Sequence, residues 1–285
     1  MRHQANDIII AVLAVITALC LSACGGQKAT ETAPIVDSMD VPVDTMAQDS
    51  IDSLAANQPI PKAADEYFND FIYSFTSNRK YQLTRVRFPL PVQRGSQTTF
   101  IQRAQWHFTR LHFKEAVYTV FFDNKRSLDL EKSKTLKQVS IQWFHMKRGE
   151  TESYLFHRGD DGQWRLEQIK YSSIDDYADA AFIKFYQRFA SDEAFQRKHL
   201  AGEISFKTPD PEDEFEDMTG TIAPSQWPSF RPELLHDDFT NIDYGQSLKY
   251  GGQRIVALEG SSNGFLSLLF FRHTKQGWQL YRLEN

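Results

Sequence analysis

Hydrophobic positions in this chain change period several times, and each change marks an element. Phe68, Phe71, Ile72 and Phe75 fall at i, i+3, i+4 and i+7, as do Phe182, Phe185, Tyr186 and Phe189, so each quartet lies along one face of a helix. Both faces are predicted core. Ser77 and Ser191 stop the pattern, and each is placed to cap a second short helix. Further on the period becomes two, with Val139, Ile141 and Trp143, then Trp164 and Leu166, and in the second half Ile255 and Ala257. Gly159-Asp160-Asp161-Gly162 and Lys275-Gln276-Gly277 supply turns between strands, which predicts an antiparallel hairpin in each half. Helices first and strands last give an α+β class, with helices covering one face of a curved sheet.

The N-terminus follows a different logic. An apolar run from Ile8 to Leu21, with Arg2 ahead of it, is too short to span a bilayer and has the order of a secretory signal. It ends in Leu21-Ser22-Ala23-Cys24, which resembles a bacterial lipobox; the resemblance implies a lipid-modified, palmitate-bearing Cys24 at the start of the mature chain. An ordinary signal followed by an unrelated cysteine is the alternative. Residues 25–60 contain no aromatic residue and carry spaced acids, so they cannot bury a core. As a flexible tether they reach roughly 30 Å or more. No acidic cluster follows Cys24 directly, which favours the periplasmic face of the outer membrane. The expected organisation is signal 1–23, tether 24–61, and α+β units 62–174 and 175–285.

Two units are expected because the chain repeats itself. Phe68, Phe71 and Phe75 recur as Phe182, Phe185 and Phe189, 114 residues later, and Ala64, Asp65, Ser77 and Gln82 recur as Ala178, Asp179, Ser191 and Gln196. Ser153, Leu155, Phe156, Arg158, Trp164 and Leu166 match Ser267, Leu269, Phe270, Arg272, Trp278 and Leu280 at the same spacing. Asp123 with Asp237, Asp129 with Asp243, and Ile141 with Ile255 extend that register without a gap, the aspartates as shared turns or caps. This is a duplication of domain size, with its boundary near Ser172 to Asp176.

Charge separates the halves. Residues 62–174 hold 19 basic and 12 acidic side chains, and residues 175–285 hold 11 and 18. Arg85, Arg87, Arg94 and Arg103 on one side, and Asp210, Asp213 and Glu214 on the other, are candidate interface residues, through which the units dock or meet a neighbouring molecule. Solvated faces that never meet are the alternative. The net charge of -5 argues against nucleic acid, and with only Cys20 and Cys24 in the chain the mature body has no disulfide and no cysteine metal site.

No strong catalytic, phosphate-binding or dinucleotide motif is present, and the acids from Asp210 to Asp217 lack the glycine a calcium loop requires. No metal or cofactor is expected. The candidate ligand pocket is Trp106, His107, Trp143, His145 and His157, opposite Gly220, Thr221, Ala257, Glu259 and Phe271 in the gapless register. Trp143 as plain core, with solvated or hydrogen-bonded histidines, is the competing account.

Phe71, Phe75, Ser77, Tyr81, Gln82, Arg85 and Arg87-Phe88-Pro89-Leu90 together resemble the domain-of-unknown-function family 4348 of Bacteroidetes lipoproteins. Gly162-Gln163-Trp164-Arg165-Leu166 is similar to the terminal strand of nuclear-transport-factor-2-like domains. The resemblance implies two cone-shaped α+β units, each with a pocket between helices and sheet, and no assigned activity. The second half has His199-Leu200-Ala201-Gly202 where the first has its two arginines, so a site built on them belongs to the first half. The expected function is non-enzymatic binding of a small ligand or an envelope protein by a membrane-anchored chain. The alternatives are a small-molecule hydrolase, dehydratase or isomerase with His145 or His157 as base, and a purely structural envelope protein.

Overall fold

In the computed structural model, which describes residues 64–285 apart from 214, 247–250 and 262, each half opens with a pair of short helices. In the first half these are α1 (Phe68–Ser77) and α2 (Arg79–Arg85), and in the second α3 (Ala180–Ser191) and α4 (Glu193–Lys198). Phe68, Phe71, Ile72 and Phe75 are buried, as are Phe182, Ile183, Tyr186 and Phe189. Ser77 and Ser191 end the first helix of each pair and do not cap the second. The backbone turns extended one residue later, at Asn78 and Asp192, whose side chains accept from Tyr81 N (3.0 Å) and Phe195 N (2.9 Å).

Six strands follow each helix pair. In the first half they are β1 (Leu90–Arg94), β2 (Gln97–Ile101), β3 (Val117–Phe122), β4 (Gln138–His145), β5 (Glu150–Arg158) and β6 (Trp164–Ser173). In the second they are β7 (Leu200–Pro209), β8 (Asp217–Ile222), β9 (Asp238–Asp243), β10 (Gln253–Gly260), β11 (Leu266–Thr274) and β12 (Gly277–Glu284). Strands consecutive in sequence usually pair. Here β3 does not pair with β4. The first sheet runs β2-β1-β6-β5-β4-β9 and the second β8-β7-β12-β11-β10-β3, so each half lends one strand to the other's sheet. The cut between 174 and 175 falls in a 3-10 turn, Ile174–Asp176, and each sheet takes five strands from one side of it and one from the other.

The two lent strands lie against each other, and side chains replace the missing ladder. Thr119 N donates to Thr240 Oγ1 (3.3 Å) and Phe121 N to Asn241 Oδ1 (2.9 Å), while Gln246 Nε2 donates to Phe121 O (2.9 Å). Asn241 is fully buried and also donates to Gln142 Oε1 (2.9 Å) and Tyr177 Oη (3.3 Å). Alternation of side chains along β3 then ties the two cores together. Val120 and Phe122 join the core under α1, and Phe121 joins Phe144 and Phe239 in the core under α3.

The pairings also correct the gapless repeat. Phe156 meets the rings of Phe68, Phe71 and Phe75, and Phe271, not Phe270, meets those of Phe182, Phe185 and Phe189. Trp143 stands opposite Glu152 as Leu258 stands opposite Ser267, a spacing of 115. Val256, on the α3 side, is accordingly the counterpart of Ile141, and Ile255 faces the other way. The β1–β2 turn needs two residues where the β7–β8 connection, 210–216, has seven, so the spacing becomes 121 through β8 and β9. Asp123 therefore corresponds to Tyr244, and Asp243 to Phe122, so neither expected aspartate pair is a structural counterpart. A shorter β9–β10 connection and a tighter β11–β12 turn restore 114. Both ends keep the original spacing, which conceals the shifts between them.

A buried histidine sits beside the seam. His112 packs its ring on Phe113 (4.2 Å) and Tyr118 (4.7 Å), next to Leu111, whose φ of 49° is the left-handed region. Burial lowers its pKa to about 3. The folded protein thus holds His112 neutral while the unfolded chain protonates near the ordinary value, so this residue's contribution is intact above about pH 6.5 and lost as pH falls toward 3. Urea titrations between pH 7 and 4 should show His112→Phe losing less stability than the parent; an identical pH slope would contradict the burial. At the seam, Asn241→Leu strands Phe121 N, Gln142 and Tyr177, and should cost about 3 kcal/mol or more in urea unfolding. A cost below about 1 kcal/mol would mean the side-chain ladder does not hold the sheets.

Candidate functional site

On the helix side of the first sheet, past the reach of α1, the apolar rows give way to polar and aromatic side chains. Register puts Trp143, Glu152 and Tyr171 side by side on β4, β5 and β6, and Arg94 beside Tyr171 on β1. One row further out, His145 on β4 meets Asp238 on the lent strand β9. The Trp143 and His145 rings stack at 6.3 Å and 10°. His145 Nδ1 is 2.7 Å from Asp238 Oδ2 and Nε2 is 3.4 Å from Glu152 Oε2. Glu152 Oε1 accepts from both Tyr154 Oη and Tyr171 Oη, each at 2.7 Å. The Arg94 guanidinium lies 3.3 Å from the Tyr171 ring centroid and pairs with Glu150 at 3.0 Å. A cleft of about 260 Å³ opens alongside, lined by Arg94, Arg148, Glu150 and Tyr171.

Burial alone pushes the Glu152 carboxyl up, but hydrogen bonds from Tyr171 and Tyr154 and the His145 ring outweigh it and leave the pKa lowered. Glu152 is therefore an anion at neutral pH. The same contacts work in reverse on the phenols: burial first, then Glu152, raises Tyr171 to about 12 and raises Tyr154 as well. Both remain donors. The cluster can receive a donor at Glu152, a flat face at Trp143 and an acceptor near Arg94.

The structure brings together two of the five expected pocket residues, Trp143 and His145, and places the others elsewhere. Trp106 packs on Phe88 and donates from Nε1 to Gln82 Oε1 (3.0 Å). His107 is exposed beside it, and His157 is exposed on β5 across from Gln138. An edge loop and one step of strand parity separate them from the cluster. Trp106 has not lost its counterpart either: Trp227 Nε1 donates to Gln196 Oε1 (2.9 Å), as Trp106 does to Gln82. Gln82 Nε2 also donates to Phe75 O, and Gln196 Nε2 to Phe189 O, both at 2.9 Å, so this pair fastens each α1 or α3 end to the following loop. It is architecture shared by both halves.

The four arginines expected at an interface make contacts within the chain. Arg85 makes a two-pronged pair with Asp65, at 3.0 and 2.7 Å, Arg87 pairs with Glu167 (3.2 Å), Arg94 with Glu150, and Arg103 donates to Leu83 O (3.0 Å). All four are engaged within their own half. Asp210 and Asp213 accept from Glu212 N (2.9 Å) and Phe215 N (3.0 Å) in their own turn, and Glu214 lies outside the described residues. Ion pairs between the halves, beside the strand pairing and the hydrogen bonds of the seam, include His145 with Asp238, Lys125 with Glu284 (2.7 Å) and Lys147 with Asp237 (3.3 Å). Cys24, the signal and the tether lie outside the described residues.

Glu152 and Tyr154 follow the same alternation that marks Phe156, so they were legible on β5. Asp238 was not, because it arrives from the other half. The second sheet has no equivalent cluster: Leu258, Gly260, Ser267 and Leu269 stand at the positions of Trp143, His145, Glu152 and Tyr154, and Val117 stands opposite Gly260 where Asp238 stands opposite His145. Among the described residues no group of three or more His, Cys, Asp or Glu is disposed to hold a metal ion, and no helix is long and apolar enough to cross a membrane.

Residues 47–285 match the family described as a domain of unknown function, DUF4348. An NTF2-like protein from Bacteroides fragilis NCTC 9343, known as a crystal structure, is 36% identical, with 79% of this chain and 98% of that chain covered and a TM-score of 0.73. No curated protein matches. With its helix pairs, two curved sheets and matched sequence, the chain belongs to the DUF4348 family and has an NTF2-like α+β fold.

Proposed function

We propose that this protein is a lipid-anchored component of the bacterial cell envelope, held to the periplasmic face of the outer membrane through Cys24, whose folded body binds a small ligand on the helix-side face of its first sheet without transforming it. The single observation that carries the binding reading is asymmetry. Two halves that share helices, cores and tryptophan–glutamine fasteners differ at these positions, where one has Trp143, His145, Glu152, Tyr154 and Asp238 and the other has small or apolar residues. A polar cluster half-open to solvent is not needed for the fold, since the second sheet stands without one.

The arrangement favours binding over catalysis. Both nitrogens of His145 face carboxylates and both tyrosine hydroxyls are committed to Glu152, so no group is left as a ready acid or base. The short contact of Asp238 with His145 Nδ1 is the observation that favours the second reading, a hydrolase, dehydratase or isomerase with His145 as an oriented base. A ligand that displaced His145 from Glu152 would expose Nε2, so ligand-bound turnover separates the two.

A metabolite screen by thermal shift, followed by calorimetry, tests the binding reading. A true ligand should raise the Tm of the parent, and Trp143→Ala and Glu152→Gln should each weaken it about ten- to a hundredfold while the unliganded variants stay folded. Binders indifferent to both substitutions would place the function elsewhere. The anchor has its own test: Cys24→Ser should abolish palmitate labelling and release the protein from the membrane fraction, and retention of either would refute lipidation at this residue.

A further inference from the structure

The back of the second sheet carries a feature that the ligand cluster does not use. A 3-10 segment, Lys125–Lys132, crosses the face of β10 and β11 that points away from α3, and beneath it opens a cavity of about 500 Å³. Its walls are Leu128, Phe265, Leu266 and Leu268, and its polar groups include Glu131 and Glu259. Glu131, in its protonated form, hydrogen-bonds Glu259, and Tyr118 Oη donates to Glu259 Oε2 at 2.7 Å. Phe265 and Leu266 remain 39% and 47% exposed at the rim.

This pair is costly where it stands. The residue in the position of Glu259 in the first sheet is Phe144, which packs on Phe239 and Tyr177. Replacing such packing by two facing carboxyls in a partly apolar cavity costs stability unless a cation completes the site. Burial, then Glu259, raises the Glu131 pKa to about 9 against an opposing pull from Lys132, so Glu131 carries a proton at neutral pH. Asp129 and Lys132 also line the cavity, and Tyr118, whose own pKa is raised by burial and by Glu259, remains a donor.

We propose that this cavity is a second binding site, for an organic cation with a primary ammonium group on a compact apolar body. The ammonium hydrogens match the acceptor oxygens of Glu131 and Glu259, and the apolar body covers Leu128, Leu268 and the exposed faces of Phe265 and Leu266. Entry of the cation displaces the proton of Glu131, which leaves to solvent, so the site gains one negative charge as one positive charge arrives. A bare metal ion would leave the apolar walls unused and find too few ligands.

Calorimetry of the mature protein with cyclohexylammonium, run at pH 7 in two buffers of different ionisation enthalpy, tests the proposal. The expected result is saturable binding with release of about one proton, no binding of cyclohexanol, and a loss of roughly ten- to a hundredfold in Glu259→Gln. Glu131→Gln should bind without releasing a proton, and Phe265→Ala, a rim change that leaves the core untouched, should weaken binding in a protein of unchanged Tm. Absence of binding at millimolar ligand, equal binding of cyclohexanol, indifference to both Glu259→Gln and Phe265→Ala, or binding of calcium alone would overturn it. Trp143→Ala should leave this binding unchanged, which separates it from the ligand cluster on the first sheet.

Discussion

The pairing of β3 with β10 and of β9 with β4 is the constraint on which the rest of this structure depends. Backbone groups of a buried strand must find partners, and here those partners lie 93 to 143 residues away in sequence. Once β3 leaves its own half, the first sheet would end on β4 with an unpaired edge, and β9 covers that edge. The exchange is therefore reciprocal by necessity. Asn241 and Gln246 complete it by bonding Phe121 at N and O, so the seam between the sheets is paired without a direct ladder.

The ligand cluster inherits this arrangement. His145 belongs to one half and Asp238 to the other, and they meet because β9 lies on β4. Trp143 is held between Glu152 on β5 and Thr240 on the lent strand. The cation cavity is built the same way, with Glu131 from one half and Glu259, on β10 beside lent β3, from the other. Chemistry confined to one half would have survived separation of the halves; chemistry placed at the seam requires both. The two halves are thus similar in packing and differ in the polar residues beside the exchanged strands.

Much of the fold was legible in sequence because it rests on local periodicity. The quartet ending at Phe75 and its copy ending at Phe189 are helix faces whatever the strands do, and the recurrence of Gln82 as Gln196 marks a fastener present in both halves. Alternation at Val139, Ile141 and Trp143 placed β4 and oriented Trp143 correctly beside His145. The exchange was not legible, since a hydrophobic pattern records which face of a strand is buried and not which strand lies beside it. For the same reason Asp238 was invisible as a partner of His145. The gapless repeat failed where insertion and deletion cancel, and counterparts such as Trp227 for Trp106 emerged only from register. The contacts of the arginines were not legible either, since a charge count by halves does not show that Arg85, Arg87 and Arg94 pair with Asp65, Glu167 and Glu150 of the same half.

Cutting the chain between 174 and 175 tests the central claim most directly. Fragments 62–174 and 175–285, refolded apart and then mixed, are followed by near-ultraviolet circular dichroism and sedimentation. With the strands exchanged, neither fragment alone gives a cooperatively unfolding monomer, and mixing restores one-to-one complexes with the aromatic signature of the intact protein. A fragment 62–174 that folds alone as a stable monomer with that signature would contradict the exchange.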